Sequence, residues 1–167
     1  MGQDRADIMH RNLNRSGDAV IVLDGLLAEH RDSRFAADGM ALRAEIKTKK
    51  LLDHQGAVAD YRQLIAEWPS HGQVPAARLQ VADILMKKIK DFDQAAAEYR
   101  QISAPVTDPE EGVRLLAKAA KIYQDKLKNY DKAIACYQEL LDRYPAHKKA
   151  AEFRKRITKL QEKASQG

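Results

Sequence analysis

The chain has one cysteine, Cys136, so it can form no disulfide within itself, and cysteine usage does not tell which redox compartment it occupies. Aromatic residues are also scarce: three Phe, one Trp and six Tyr, against abundant alanine. That balance points to closely packed helices with small residues at their contacts. No long apolar run is present, which excludes a transmembrane helix. The opening MGQDRADIMHRNL lacks the apolar centre of a signal peptide. Glycine-rich phosphate loops are missing, as are GxSxG, HExxH and CxxC, so the usual signatures of catalysis and of metal or cofactor binding are absent. An enzyme is not expected, and no cofactor.

The residues that are present suffice for an ordinary domain: 167 in all, 44% hydrophobic and 32% charged, too apolar for a disordered chain. The formal charge of +5 is unevenly placed, with a net of −2 over residues 1–114 and +7 over 115–167. The basic character belongs to the C-terminal third.

A repeat of 38 residues organises the chain. Segments 1–38, 39–76, 77–114 and 115–152 align in five columns. These are Ala6, Ala44, Ala82 and Ala120; Ile8, Ile46, Ile84 and Ile122; Leu13, Leu51, Ile89 and Leu127; Ala19, Ala57, Ala95 and Ala133; and Leu23, Tyr61, Tyr99 and Tyr137. Residue 1 falls inside the first unit, from which the chain is expected to be a piece of a longer protein.

Each unit reads as two helices. In the last one, Leu116, Ala120, Tyr123 and Leu127 recur at helical spacing, followed by Ala133, Ile134, Tyr137, Leu140 and Leu141. Asp53, Asp91 and Asn129 are placed to cap the second helices, with Ser16 in that role in the first unit. Asp91 and Gln94 have the spacing of a variant capping box. Trp68-Pro69 and Tyr144-Pro145 end their helices, because the residue before proline is pushed out of helical geometry. The paired alanines let the two helices of a hairpin nest. The segment Ser103–Gly112, with Pro105 and Pro109, breaks the pattern and predicts an early helix end and a longer loop, which Asp108-Pro109-Glu110-Glu111 closes by starting a new helix. The last stretch, 146–164, reads as an amphipathic capping helix: an apolar seam of Ala146, Ala150, Phe153, Ile157, Leu160 and Ala164 lies opposite a basic face of Lys148, Lys149, Lys155, Arg156, Lys159 and Lys163.

With these features in view, the chain resembles the tetratricopeptide-repeat (TPR) family. NYDKAIACYQELLDRYP carries the likeness best, through Tyr130, Ala133, Tyr137 and Pro145, and the resemblance covers residues 3–164. It departs from the family in its 38-residue period, where about 34 is usual, and in lacking a tryptophan in the first helix. The run YPAHKKAAEFRKRITKL also resembles bacterial envelope TPR proteins such as the Tol–Pal cell-division coordinator. The resemblance implies one all-α domain over 1–167, a right-handed α-solenoid of four hairpins plus the capping helix, acting as a non-enzymatic protein-interaction scaffold in the cytoplasm or a bacterial periplasm. It further implies that the first helices line a groove for a peptide or helix of a partner protein. The groove residues are then Asp7, His10 and Arg11; Glu45, Thr48 and Lys49; Asp83, Met86 and Lys87; and Lys121, Gln124 and Asp125. Acid beside base recurs in the first three sets, which suits a partner segment carrying both charges, with Lys49 and Lys87 pairing its carboxylates. Asp7, Glu45 and Asp83 stand where a carboxylate-clamping asparagine would be, which argues against a clamp for a chain terminus.

Other polar residues have plainer roles. His54 is expected to pack at a helix start, and His71 and His147 to lie in turns. Cys136 has no base beside it in sequence and is not expected to act as a nucleophile. Lys50, Lys88 and Lys126 close helices, where cations complement the dipole. The alternative function is binding of nucleic acid or an anionic surface by the basic last helix; it lacks interleaved aromatics for stacking bases and is the less favoured. Self-association is compatible with either function.

Overall fold

The computed structural model describes residues 15–31, 33 and 35–165, and these are helical with no strand. The first helix expected in the first unit lies outside them. The chain divides into two compact parts, residues 1–84 and 85–167. The first holds α1 (Ser16–Glu29), α2 (Ala36–Ile46) with a widened last turn (Lys47–Leu51), α3 (His54–Glu67) and α4 (Val74–Ile84). The second opens with a widened turn (Leu85–Ile89). It continues through α5 (Phe92–Ser103), α6 (Pro109–Lys121) with its widened turn (Ile122–Lys126), α7 (Tyr130–Arg143) and α8 (Ala150–Ala164). Within each part, helices adjacent in sequence pack on one another.

The widened turns make i→i−5 hydrogen bonds, reaching one residue further than an α-helix, and a residue of left-handed conformation comes after each. These residues are Leu52, Lys90 and Lys128, with φ of 55°, 64° and 53°. They stand 38 residues apart, so the repeat seen in sequence is also a repeat of backbone conformation. The next residue in each case is the helix cap, and its side chain accepts from the third residue on: Asp53 from the Gly56 amide at 2.9 Å, Asp91 from Gln94 at 3.1 Å, and Asn129 from Lys132 at 3.0 Å. The capping box differs from expectation. The Gln94 side chain donates to the Asp91 carboxylate at 2.6 Å instead of reaching back to the backbone, because an aspartate cap offers a charged acceptor nearer than the amide. Ser16 also differs: α1 begins one residue earlier, Ser16 is its first helical residue, and Arg15 holds the cap position.

Four of the five repeat columns are buried wherever they are described. The alanines Ala19, Ala57, Ala95 and Ala133, and Ala44, Ala82 and Ala120, are sealed from solvent, as are Leu23, Tyr99 and Tyr137. The fifth column is not core: Leu51 is 43% exposed, because the extra residue of the widened turn rotates it off the apolar face. In the first part the buried Asp60 carboxylate accepts from Arg43 at 2.7 and 3.0 Å and pairs with Lys47 at 2.8 Å, while Arg43 also reaches Asp24 at 2.6 Å. This cluster joins α1, α2 and α3.

The break after α5 is as expected, since α5 stops at Ser103 and Asp108 caps α6, accepting from the Glu111 amide at 2.9 Å. The intervening loop is tied to α7. The Arg143 guanidinium donates to the carbonyls of Ser103 (2.8 Å), Ala104 (3.3 Å) and Val106 (3.4 Å) and to the Tyr144 hydroxyl (3.1 Å). The Tyr144 hydroxyl lies where a side chain at Gly112 would be, 2.0 Å from an ideal Cβ, so a larger residue at 112 has to displace it. α8 packs on α7 through Ala150, Phe153 and Leu160, with Phe153 stacked on Tyr137 at 5.7 Å. Ala146 precedes the helix and is exposed, so the seam is shorter than the sequence suggested.

The left-handed residues and the ion cluster can each be tested by stability. Lys90 and Lys128 are exposed, so replacing either with glycine relieves the left-handed strain without losing packing. Each should raise stability by about 0.5–1 kcal/mol in urea unfolding, and a loss of stability would contradict the assignment. Asp60→Ala leaves Lys47 without this carboxylate and Arg43 with Asp24 alone and should cost about 3 kcal/mol in the same measurement; a change below about 1 kcal/mol would show that the cluster is incidental.

Candidate functional site

In the second part, the widened turns Leu85–Ile89 and Ile122–Lys126 and the helices α5 and α6 enclose a cleft of about 340 Å3. Its lining is Met86, Lys87, Tyr99, Lys118, Lys121, Ile122, Asp125 and Lys126. Two lysines lie against aromatic faces, Lys118 Nζ 4.8 Å from the centre of the Tyr99 ring and Lys126 Nζ 5.7 Å from that of Phe92. Four cations and one aspartate thus surround walls of thioether, aliphatic and aromatic carbon.

The expected groove residues are distributed as follows. Asp7, His10 and Arg11 lie outside the described residues. Met86, Lys87, Lys121 and Asp125 come together in the cleft. Gln124 stands behind them, donating to Asp125 at 2.8 Å and accepting from the Tyr137 hydroxyl at 3.4 Å. Asp83 is half-buried near the end of α4. Glu45, Thr48 and Lys49 belong to the first part: Lys49 is held by Glu45 at 2.6 Å, and Thr48 donates to its own helix at the Ala44 carbonyl, 2.8 Å away. Sequence reasoning missed Tyr99, Lys118, Ile122 and Lys126. Tyr99 and Ile122 read as core, Lys126 as a helix end, and Lys118 carried no signal.

A second cleft, of about 500 Å3, lies among α6, α7 and α8, over Tyr137 and Phe153. Much of its charge is paired internally. Arg156 donates to Glu152 at 2.7 Å, and Lys148 reaches Glu110 at 2.9 Å. These partners' hydrogen bonds, with added charge from neighbouring cations, hold the Glu152 and Glu110 carboxyls below the usual carboxylate range, and Arg114 does the same for Glu111. Of the basic face, Lys148 and Arg156 are therefore committed to acids, Lys149 lines the second cleft, and Lys155, Lys159 and Lys163 are exposed. The face is not a uniform cationic strip.

The turn histidines act alike. His71 and His147 each accept at Nδ1 from the amide two residues on, Gln73 at 3.3 Å and Lys149 at 3.2 Å. Cys136 is sealed on α7, and burial pushes its thiol up to about 11. Among the described residues no cluster of three or more His, Cys, Asp or Glu could hold a metal ion, and no helix is long and apolar enough to cross a membrane.

Helical hairpins that recur with one cap, one left-handed turn and one alanine contact define an α-helical repeat protein. Residues 115–147 match the family profile described as Tetratricopeptide repeat. A comparison with curated proteins gave no match. Among solved structures, the chain is similar to one titled MamA RS-1 ArsTM double mutant, at 18% identity over 99% of this chain and 96% of that one, with a TM-score of 0.58. Another, MamA 41-end from Desulfovibrio magneticus RS-1, is 18% identical over 97% and 96%, with a TM-score of 0.45. The first of these shares its fold with this chain.

A thiol that is neutral and enclosed reacts only when the fold opens. Native protein should therefore consume an aromatic disulfide reagent at least about a hundredfold more slowly than urea-unfolded protein. Comparable rates would show that Cys136 is accessible.

Proposed function

We propose that this protein is an adaptor that holds an acidic, apolar-anchored segment of a partner protein in the cleft between the two widened turns of residues 85–126. A TPR-type fold supports a protein-interaction scaffold, and folds of this kind are typically non-enzymatic. The observation that carries the finer reading is the cleft's composition: Lys87, Lys118, Lys121 and Lys126 around Met86, Tyr99 and Ile122, with Asp125 the sole acid among the lining residues. The apolar floor gains by excluding water, about 25 cal/mol per Å2 covered. The lysines set the charge of what is accepted and speed its arrival.

This differs from the mixed-charge partner expected from the striped sequence pattern. Lys49 is bonded to Glu45 within its own helix, so the alternating acid and base of the second unit neutralise each other instead of facing a ligand. The cleft of the second part is lined by four lysines and one aspartate.

The test is selection of a displayed random-peptide library on the full chain, followed by affinity measurement of the selected peptides on the Lys87→Glu, Lys126→Glu double variant. Selected sequences should place Asp or Glu beside an apolar residue. The double variant should bind them at least about tenfold more weakly with unchanged helical circular dichroism. Selection of basic peptides, or equal affinity for both proteins, would remove the cleft from consideration.

A further inference from the structure

His71 and His147 hold the same position two repeats apart, each two residues after the proline that follows a helix stop. Each ring joins the start of one helix to the start of another. In the second part, His147 Nδ1 accepts from the Lys149 amide at 3.2 Å, directly before α8. Its Nε2 lies 3.4 Å from Glu110 Oε1, in the first turn of α6. In the first part, His71 Nδ1 accepts from the Gln73 amide at 3.3 Å, directly before α4, and its Nε2 lies 3.8 Å from Asp38 Oδ1, in the first turn of α2. Each acid also has a second donor, Lys148 on Glu110 at 2.9 Å and the Gln73 side chain on Asp38 at 2.8 Å. A ring nitrogen that accepts carries no proton, so both rings are neutral as bonded, with the proton on Nε2. The His147 side chain is 5% exposed, and its Nε2 is buried and makes no hydrogen bond to the described residues.

We propose that His147 and His71 are proton-operated latches on the starts of α8 and α4. A proton taken from water by Nδ1 turns that acceptor into a donor, which cannot face an amide N–H. The bond to Lys149 or Gln73 is then lost, and the positive ring draws Nε2–H towards Glu110 or Asp38. Each ring thus exchanges a bond to the helix ahead for an ion pair with a helix behind. Neutral rings close the latch, and it opens as pH falls. Few other charges bear on it. Around His147, Glu111 is held by Arg114 and Glu152 by Arg156, while Arg143 is bound to loop carbonyls and Tyr144; Lys149 is exposed. Around His71, Glu67 is held by Arg31 and Gln63, and the first turn of α4, VPAA, carries no charge. Lys149 lines the second cleft, so acid loosens one wall of that cleft. The latch does not depend on the adaptor reading.

The test is NMR of the full chain between about pH 8 and about pH 5, the span in which imidazoles change charge. Ring 15N shifts report protonation, and water exchange of the Gln73 and Lys149 amides, relative to the same sequences in unfolded peptides, reports the bond. As each Nδ1 protonates, relative exchange of the amide two residues on should rise at least about fivefold, while amides in the middle of α7 stay unchanged. In His147→Asn, whose side-chain oxygen accepts but does not titrate, Lys149 should lose this response and Gln73 should keep it. If that variant does not fold, the wild-type ring and amide curves decide alone. Rings that protonate without a change at Lys149 and Gln73, rings that stay neutral throughout, or an unaltered response of Lys149 in His147→Asn would each overturn the latch.

Discussion

The hairpins depend on how each first helix is stopped. A helix that must reverse within two residues has to leave right-handed geometry abruptly, and here one left-handed residue does this, at Leu52, Lys90 and Lys128. The widened turn before it absorbs an additional residue and rotates the later side chains relative to an unbroken α-helix. The cap that begins the next helix comes immediately after, so three consecutive backbone decisions separate one helix from the next. The same turns carry five of the cleft residues, Met86, Lys87, Ile122, Asp125 and Lys126. These turns therefore also shape the cleft.

One column of the repeat shows how differently the same position can be satisfied. Asp60 in the first part and Cys136 in the second stand 76 residues apart, two repeats. Asp60 is neutralised by Arg43 and Lys47. Two repeats on, those cations become Ala119 and Tyr123, both buried, and the acid becomes a sealed thiol. An ion cluster and an apolar set of related volume thus serve one contact, as expected where the Coulombic gain of burying charges roughly offsets their desolvation. The change is concerted: the positions of both cations and of the acid change together.

Much of this was legible in the sequence. The 38-residue register, the caps at Asp53, Asp91 and Asn129, the proline stops at Trp68 and Tyr144, and the early end of α5 each rest on local chemistry, and each appears where the residues indicated. The widened turns were not legible, because Leu, Lys and Lys stand at left-handed positions that glycine or asparagine normally marks. Without that signal, a period of 3.6 misassigns the faces of residues in and after the turn. Leu51 read as core and is exposed. Pairing within a helix, as between Lys49 and Glu45, is equally invisible until side chains are placed.

Whether the cleft around Met86 receives the partner segment can be read from methionine methyl resonances, since Met86 lies in the cleft whereas Met40 is buried in the core of the first part. With methyl-labelled methionine in the full chain, titration of a library-selected acidic peptide should shift the Met86 signal in step with saturation and leave Met40 in place. A saturated complex in which the Met86 signal has not moved would contradict the cleft as the binding site.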